Sequence, residues 1–240
     1  MSETALPAIS LVIPVYNEEE SLPRLIEAID KAIVALPQPV EVVVVDDGSR
    51  DRSFDLLEDA ARTRPWMRLV RFRRNFGQTA ALAAGIDHSR ATIIVPFDAD
   101  LQNDPADIPK LLEKLNTYDM VCGWRQKRND PWIKRISSWV ANTIRNKLSW
   151  EDIKDTGCSL KAYRRECLNR IKLFNGMHRF LPTLFKMEGF TVTEIVVNHY
   201  PRKFGKSKYG ISNRAIRAFI DLLVVRWMKK RKLNYEVEND

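Results

Sequence analysis

Apolar residues recur along this chain in two alternating rhythms. Short, nearly continuous apolar runs stand at "SLVIPVY" (10–16), "EVVVV" (41–45), "MRLVRF" (67–72), "TIIVPF" (92–97) and "DMVCGW" (119–124). Each has the length of a strand, and successive apolar positions fit a parallel sheet covered on both faces. Between the runs the spacing changes. Leu22, Leu25, Ile26, Ile29 and Ile33 recur at three- and four-residue steps, the stripe of a helix. A second helix is predicted over 51–64, after the "DGS" turn. A third, over 104–116, opens on Asp-Pro, an N-cap followed by proline in the first turn. Strand and helix in this alternation predict a single doubly wound, mainly parallel α/β sheet with helices on both faces.

After Trp124 the rhythm breaks. "NDPWIKRISSWVANTIRNKL" (129–148) reads as a helix mixing aromatic and basic residues, and the turn-rich "DTGCS" (155–159) follows. Helices are expected near 162–172 and 177–188, then an alternating strand in "FTVTEIVVNHY" (190–200). An amphipathic helix runs from Ile211 to Lys232. No repeat or low-complexity linker divides the chain. Residues 1–210 read as the catalytic body, and 211–240 as a basic helix and tail of the same domain.

Composition narrows the setting. The 240 residues, 45% hydrophobic, suffice for one substantial core. No window approaches the ~18 uncharged apolar residues of a membrane span, and "MSETALPAIS" has neither the basic start nor the apolar stretch of a signal peptide. Cys122, Cys158 and Cys167 form no CxxC pair, and with His88, His178 and His199 they give no zinc spacing. A reduced, cytosolic setting is expected. The net charge of +8 is unevenly spread: 202–232 holds eleven Lys/Arg against one acid, Asp221, and the last eight residues add three acids. The body is nearly neutral. A block this basic suits phosphate groups, an anionic membrane surface or nucleic acid, where it is more than a solubilising tail.

The usual nucleotide motifs fail. No two glycines stand two apart, so G-x-G-x-x-G is absent, and in "GKSKYGIS" Ile211 stands where a phosphate loop requires lysine. The strand ends are acidic instead: "PVYNEEE" after the first, "VDDGSRD" after the second, "DADLQ" after the fourth. Ligands of an open parallel sheet bind beyond the carboxyl ends of its strands, and like charges gathered there without a cation repel. Asp98, Asp100 and Gln102 offer two carboxylates and an amide at alternate positions, oxygen donors for Mg²⁺ or Mn²⁺. Such an ion neutralises a departing diphosphate, the leaving group of a nucleoside diphosphate sugar. Asp47, on the "DGS" turn, is placed to hold a base or ribose edge by hydrogen bonds.

The motifs "VIPVYNEEESL", "VVDDGSRDRS", "RNFGQTAALAAGID", "DADLQNDP" and "DTGCSLKAYRR" together resemble the family 2 glycosyltransferases of the GT-A fold. With "HYPRKFGKSKYG" the resemblance narrows to the dolichyl- or polyprenyl-phosphate glycosyltransferases and covers roughly residues 8 to 225. It implies an inverting, metal-dependent transfer of a hexose from a GDP-mannose- or UDP-glucose-type donor to a polyprenyl or dolichyl phosphate. It implies that Pro14, Tyr16, Glu18 and Asp47 line the nucleoside pocket, with Asp46 and Gln78 also binding substrate. Asp98, Asp100 and Gln102 would bind the metal. Arg125, Arg202, Lys206 and Ser207 would handle the donor diphosphate or the acceptor phosphate. Many bacterial members continue into transmembrane helices beyond the position of Trp227, whereas here "KKRKLNYEVEND" follows, so peripheral contact with the cytoplasmic membrane face is expected.

The residues support the acceptor independently. A sugar hydroxyl needs a general base to take its proton, but an ionised lipid phosphate needs only cations to position it. Arg125, Lys127, Arg128, Lys134, Arg135 and the 202–232 block supply them. Two other readings stay open. One sends the sugar to a saccharide or protein hydroxyl, with Glu151 or Asp152 as base. The other is a nucleic-acid-binding module, in which Tyr200, Phe204 and Tyr209 would stack on bases; it leaves the acidic strand ends unexplained. His178 reads as a helix-end or interface residue, Cys122 as core filler. Trp139, Ile144 and Leu148 read as helix packing or membrane-surface contact.

Overall fold

The computed structural model describes residues 6–36, 38–126, 153–171, 174–202, 211–233 and 238, and the backbone alone over 211–218. Seven strands of these residues form one sheet: β1 (Ile9–Val15), β2 (Val40–Asp46), β3 (Met67–Arg71), β4 (Ile93–Pro96), β5 (Met120–Trp124), β6 (Lys161–Arg164) and β7 (Val192–Val196). Their order is β3-β2-β1-β4-β6-β5-β7. All pairings are parallel except those of β6, which runs antiparallel between β4 and β5.

Alternation along the strands assigns the helices to two faces. Leu11, Ile13, Val15, Val42 and Val44 pack with Leu22, Leu25 and Ile29 of α1 (Leu22–Val34), Leu57 of α2 (Ser53–Arg62), and Ile108 and Leu111 of α4 (Ile108–Lys114). On the opposite face Val12 and Ile94 meet Leu82 and Ile86 of α3 (Gln78–His88) and Leu181, Leu184 and Phe185 of α5 (Leu181–Met187). Leu222 and Val225 of α6 (Ile211–Arg231) join them there. The close approach of α3 needs Gly85, because a Cβ there would lie 2.3 Å from Val12 Cγ1. The capping expectation at 104 holds, with Asp104 accepting from Ala106 N at 3.0 Å.

Two elements differ from the sequence pattern. The helix expected near 162–172 is instead β6 followed by a 3₁₀ segment, Arg165–Arg170. Lys161, Ala162 and Tyr163 are all buried, filling the gap between β4 and β5, and tertiary placement overrides the helix-like spacing of Tyr163, Cys167 and Leu168. Helix α3 has no apolar stripe to announce it, because Ala80, Ala81, Ala83, Ala84 and Gly85 dominate it. The helix expected at 129–148, with Trp139, Ile144 and Leu148, lies outside the described residues.

Candidate active site

Strands β2, β1 and β4 are parallel neighbours, so the three acidic segments beyond their carboxyl ends lie side by side. Because β6 runs the other way, the "DTGCS" turn that precedes it comes to the same edge. The ends of β5 and β7 bring Arg125 and Arg202 there. One edge of the sheet therefore collects nearly every described residue that the sequence singles out.

At its centre stand Asp98 and Asp100. Gln78 Nε2, at the start of α3, donates to Asp98 Oδ1 at 3.0 Å, and the Ser159 hydroxyl also bonds this carboxylate. Burial, then the charge of Asp100, pushes the Asp98 carboxyl above the usual carboxylate value, while Lys161 and Arg125 pull against that rise. Asp100 Oδ1 accepts from Gln102 N at 3.1 Å, and its Oδ2 accepts from Arg202 Nη2 at 2.9 Å. The same nitrogen of Arg202 lies 4.0 Å from Glu18 Oε1. The turn that allows this puts Leu101 at φ 58°. It is pinned to the segment after β7, where Tyr200 N donates to Gln102 O at 2.9 Å and Gln102 Nε2 to Tyr200 O at 3.4 Å.

The donor set fits a hard divalent cation. Among the described residues no group of three His, Cys, Asp or Glu side chains gathers in metal-binding geometry. The oxygen donors available to such an ion are two carboxylates and the Gln102 amide oxygen, which takes no hydrogen bond among the described residues. Mg²⁺ and Mn²⁺ sites that share substrate phosphates are built from one or two carboxylates in this way.

The loops after β1 and β2 are laced together. Asn17 N donates to Ser49 Oγ at 2.9 Å, Arg50 N to Asn17 Oδ1 at 2.7 Å, and Glu18 N to Ser53 Oγ at 2.7 Å. Ser21 Oγ donates to Glu18 Oε2 at 3.0 Å, aiming the other oxygen at Arg202. Pro14 and Tyr16 are half-buried beside them. The two neighbouring aspartates differ in their work. Asp47 accepts from Phe76 N at 2.7 Å, Gly77 N at 2.9 Å and Asn75 Nδ2 at 2.8 Å, and so fixes the "RNFG" loop that leads into α3. Burial first, and then the Asp46 charge, push the Asp47 carboxyl up, against the two backbone donors that pull it down. Asp46 Oδ1 accepts from Ser49 N at 3.2 Å; its buried Oδ2 has no hydrogen-bond partner among the described residues, with Arg71 Nε 3.8 Å away.

Arg125 is held by a residue the sequence reading passed over. Its Nε donates to Asp155 Oδ2 at 2.7 Å and its Nη2 to Asp155 Oδ1 at 2.9 Å, a bidentate pair in which Asp155 is buried. Glu194 of β7 in turn accepts from Lys154 N at 2.8 Å and Asp155 N at 2.9 Å. The signal was "DTGCS", which reads in the sequence as a turn and as part of a family motif, with no role for Asp155 itself. His178 binds Thr79 Oγ1 through Nδ1 at 2.9 Å, an interface contact as expected, and Cys122 is buried. Lys206 and Ser207 lie outside the described residues, as do Lys127, Arg128, Lys134, Arg135, Glu151, Asp152, Phe204 and Tyr209.

The model of glycosyl transferase family 2 matches residues 10–172. Dodecaprenyl-phosphate galacturonate synthase of Rhizobium johnstonii is 40% identical over 230 residues, covering 93% of this chain and 68% of that protein. Undecaprenyl-phosphate 4-deoxy-4-formamido-L-arabinose transferase of Aeromonas hydrophila is 38% identical over 213 residues, covering 88% and 65%. The chain spans about two thirds of the length of these relatives. Glucosyl-3-phosphoglycerate synthase from Mycobacterium tuberculosis, solved with Mg²⁺ and uridine diphosphate, superposes with a TM-score of 0.68 over 93% of this chain and 79% of that one, at 17% identity. The same synthase with Mn²⁺, UDP-glucose and phosphoglyceric acid gives 0.65 over 93% and 79%, at 18% identity. These two structures share the fold.

Proposed function

The chain belongs to glycosyl transferase family 2, and on that premise we propose that it moves one sugar from a nucleoside diphosphate donor to a polyprenyl phosphate. The observation that carries this reading is the convergence, at one sheet edge, of Asp98, Asp100 and Gln102 with the guanidinium groups of Arg125 and Arg202. The named relatives act on dodecaprenyl or undecaprenyl phosphate, which supports the same acceptor class here.

A phosphate oxygen of the acceptor attacks the anomeric carbon from the face opposite the leaving group. The bond from that carbon to the diphosphate breaks, its electron pair leaves with the diphosphate, and the configuration inverts. No proton has to be removed, because the lipid phosphate is already ionised. Asp98, Asp100 and Gln102 would hold Mg²⁺ or Mn²⁺, which supplies charge neutralisation for the departing diphosphate. Arg125 and Arg202, with Lys206 and Ser207, position the phosphates. Pro14, Tyr16, Glu18, Asp46 and Asp47 shape the nucleoside end. Gln78 orients Asp98 through its amide.

No helix among the described residues is long and apolar enough to cross a membrane. The acceptor resides in a membrane, and the reading places the reaction at its surface. The test is acceptor competition. Purified protein with a panel of nucleotide sugars and Mn²⁺ should glycosylate undecaprenyl phosphate, lose that activity in EDTA, and leave undecaprenol untouched. Transfer to undecaprenol or to a saccharide, without transfer to the phosphate, would establish the hydroxyl-acceptor reading instead.

A further inference from the structure

Eleven large hydrophobic side chains are exposed among the described residues, and five of them, Phe219, Ile220, Leu223, Val224 and Trp227, lie on α6 at 45–62% exposure. At 100° per residue these five fall within one arc of about 140° along the helix. The opposite side is used: Leu222 and Val225 are buried in the core, with Met228 packed against it. α6 is thus apolar on both sides, and among the described residues only the inner side is packed against the core.

We propose that the outer face of α6 seats on an anionic lipid surface, with Phe219, Ile220, Leu223, Val224 and Trp227 entering the headgroup–acyl boundary. Charge selects this occupant. Lys230 and Arg231 are exposed at the end of the stripe, and Arg214 and Arg217 precede it in the sequence. The one acid in 211–233, Asp221, faces the body instead: a Cβ on Gly176 would lie 2.5 Å from Asp221 Oδ2. A second copy of the chain would bring basic ends to basic ends in either orientation, whereas anionic headgroups answer them. Lys232 is engaged differently, donating to Met187 O and lying 3.8 Å from Glu188 Oε2, so it anchors the helix end to α5.

The placement deepens the lipid-phosphate reading and draws its functional meaning from it. Gly176, against Asp221, donates its N–H to Thr79 Oγ1 at 3.0 Å, and the neighbouring Gln78 holds Asp98. A surface bound through α6 is therefore tied to the metal-site edge through one packing layer.

The experiment is co-sedimentation with vesicles of phosphatidylcholine alone or mixed with phosphatidylglycerol. The protein should bind the mixed vesicles, bind the neutral ones far less, and weaken in high salt. Leu223→Ser with Trp227→Ser should cut the affinity by more than roughly tenfold, and Lys230→Gln with Arg231→Gln should flatten the salt response. Quenching by brominated phosphatidylcholine, present in the unaltered protein and lost in Trp227→Phe, gives the same answer without a polar substitution. The serine pair should keep its rate on a short, water-soluble polyprenyl phosphate. A dead soluble assay in the unaltered protein would sink the transferase reading and leave vesicle binding to stand on its own. Absence of binding to mixed vesicles would overturn the proposal. So would a dimer in lipid-free buffer that the serine pair converts to monomer, since α6 would then be an interface between copies.

Discussion

Arg202 and Asp100 are locked together at 2.9 Å, so the carboxylate expected to bind metal already holds a guanidinium. Arg202 is a half-buried cation shared by Asp100 and Glu18, and it occupies charge that a divalent ion would claim. Arg202→Gln should therefore bind Mn²⁺ more tightly in the absence of nucleotide, by roughly tenfold, or about 1.4 kcal/mol. Electron paramagnetic resonance of free Mn²⁺ reads this without turnover. The same variant should lose activity on membrane-embedded and soluble acceptors alike. Weaker or unchanged Mn²⁺ affinity would show that the ion and the guanidinium do not compete.

Asp47 should matter to stability as well as to nucleotide binding. Asp47→Ala leaves the Phe76 and Gly77 amides without their acceptor, and because both bonds are only part-buried water replaces some of what is lost, so each costs about 0.5–1.5 kcal/mol. A loss of about 1–3 kcal/mol in urea unfolding is expected, together with weaker nucleotide affinity in calorimetry. An unchanged unfolding midpoint would contradict the loop-fixing role.

Asp155 holds Arg125 in a bidentate pair, and on the proposed reaction it should act through Arg125 as a positioning residue. Asp155→Asn keeps the shape and loses the charge that holds the guanidinium fork, so kcat should fall about 10²-fold, with nucleotide affinity nearly intact. Asp155→Glu, able to remake part of the pair, should recover more activity than Asp155→Asn. Equal loss in both, with a matching drop in melting temperature, would reduce Asp155 to a structural role.

Glu41 tests the pH dependence of the fold away from the site. Burial raises its carboxyl, but the Ser10 hydroxyl, the Arg90 amide and the Arg90 guanidinium together bring it below its ordinary value of 4.5. A carboxyl lowered in the folded state contributes stability that is complete above 4.5 and is lost as pH falls through the lowered value. Glu41→Gln should therefore unfold at lower urea than the parent near neutral pH, and the gap should close in acid. A gap that persists below that range would assign the effect to shape and not to charge.

The parts of the fold that could be read from sequence are those whose neighbours are periodic and local. β1, β2 and β4 are continuous apolar runs with acids at their ends, so their strands and the site edge follow from the chain alone. The Asp98–Asp100–Gln102 turn follows for the same reason. β6 was hidden because its four residues are dictated by the gap between β4 and β5, a non-local demand that spacing does not record. The Arg125–Asp155–Glu194 relay was hidden because its members are 30 and 39 residues apart and meet only when β5 and β7 pair. The "DGS" turn singles out Asp47, yet its three donors from 75–77 become visible only once α3 is in place.

The proposed reaction transfers a sugar, without its phosphate, to a lipid phosphate. The nucleotide released in step with glycolipid formation separates this from phosphosugar transfer, read by chromatography while the lipid product is weighed by mass spectrometry. Nucleoside diphosphate should appear one for one with a polyprenyl monophosphate sugar, and both should vanish in Asp100→Asn while its circular dichroism is unchanged. Release of nucleoside monophosphate with a lipid diphosphate product, or full activity in Asp100→Asn at saturating Mn²⁺, would contradict the mechanism.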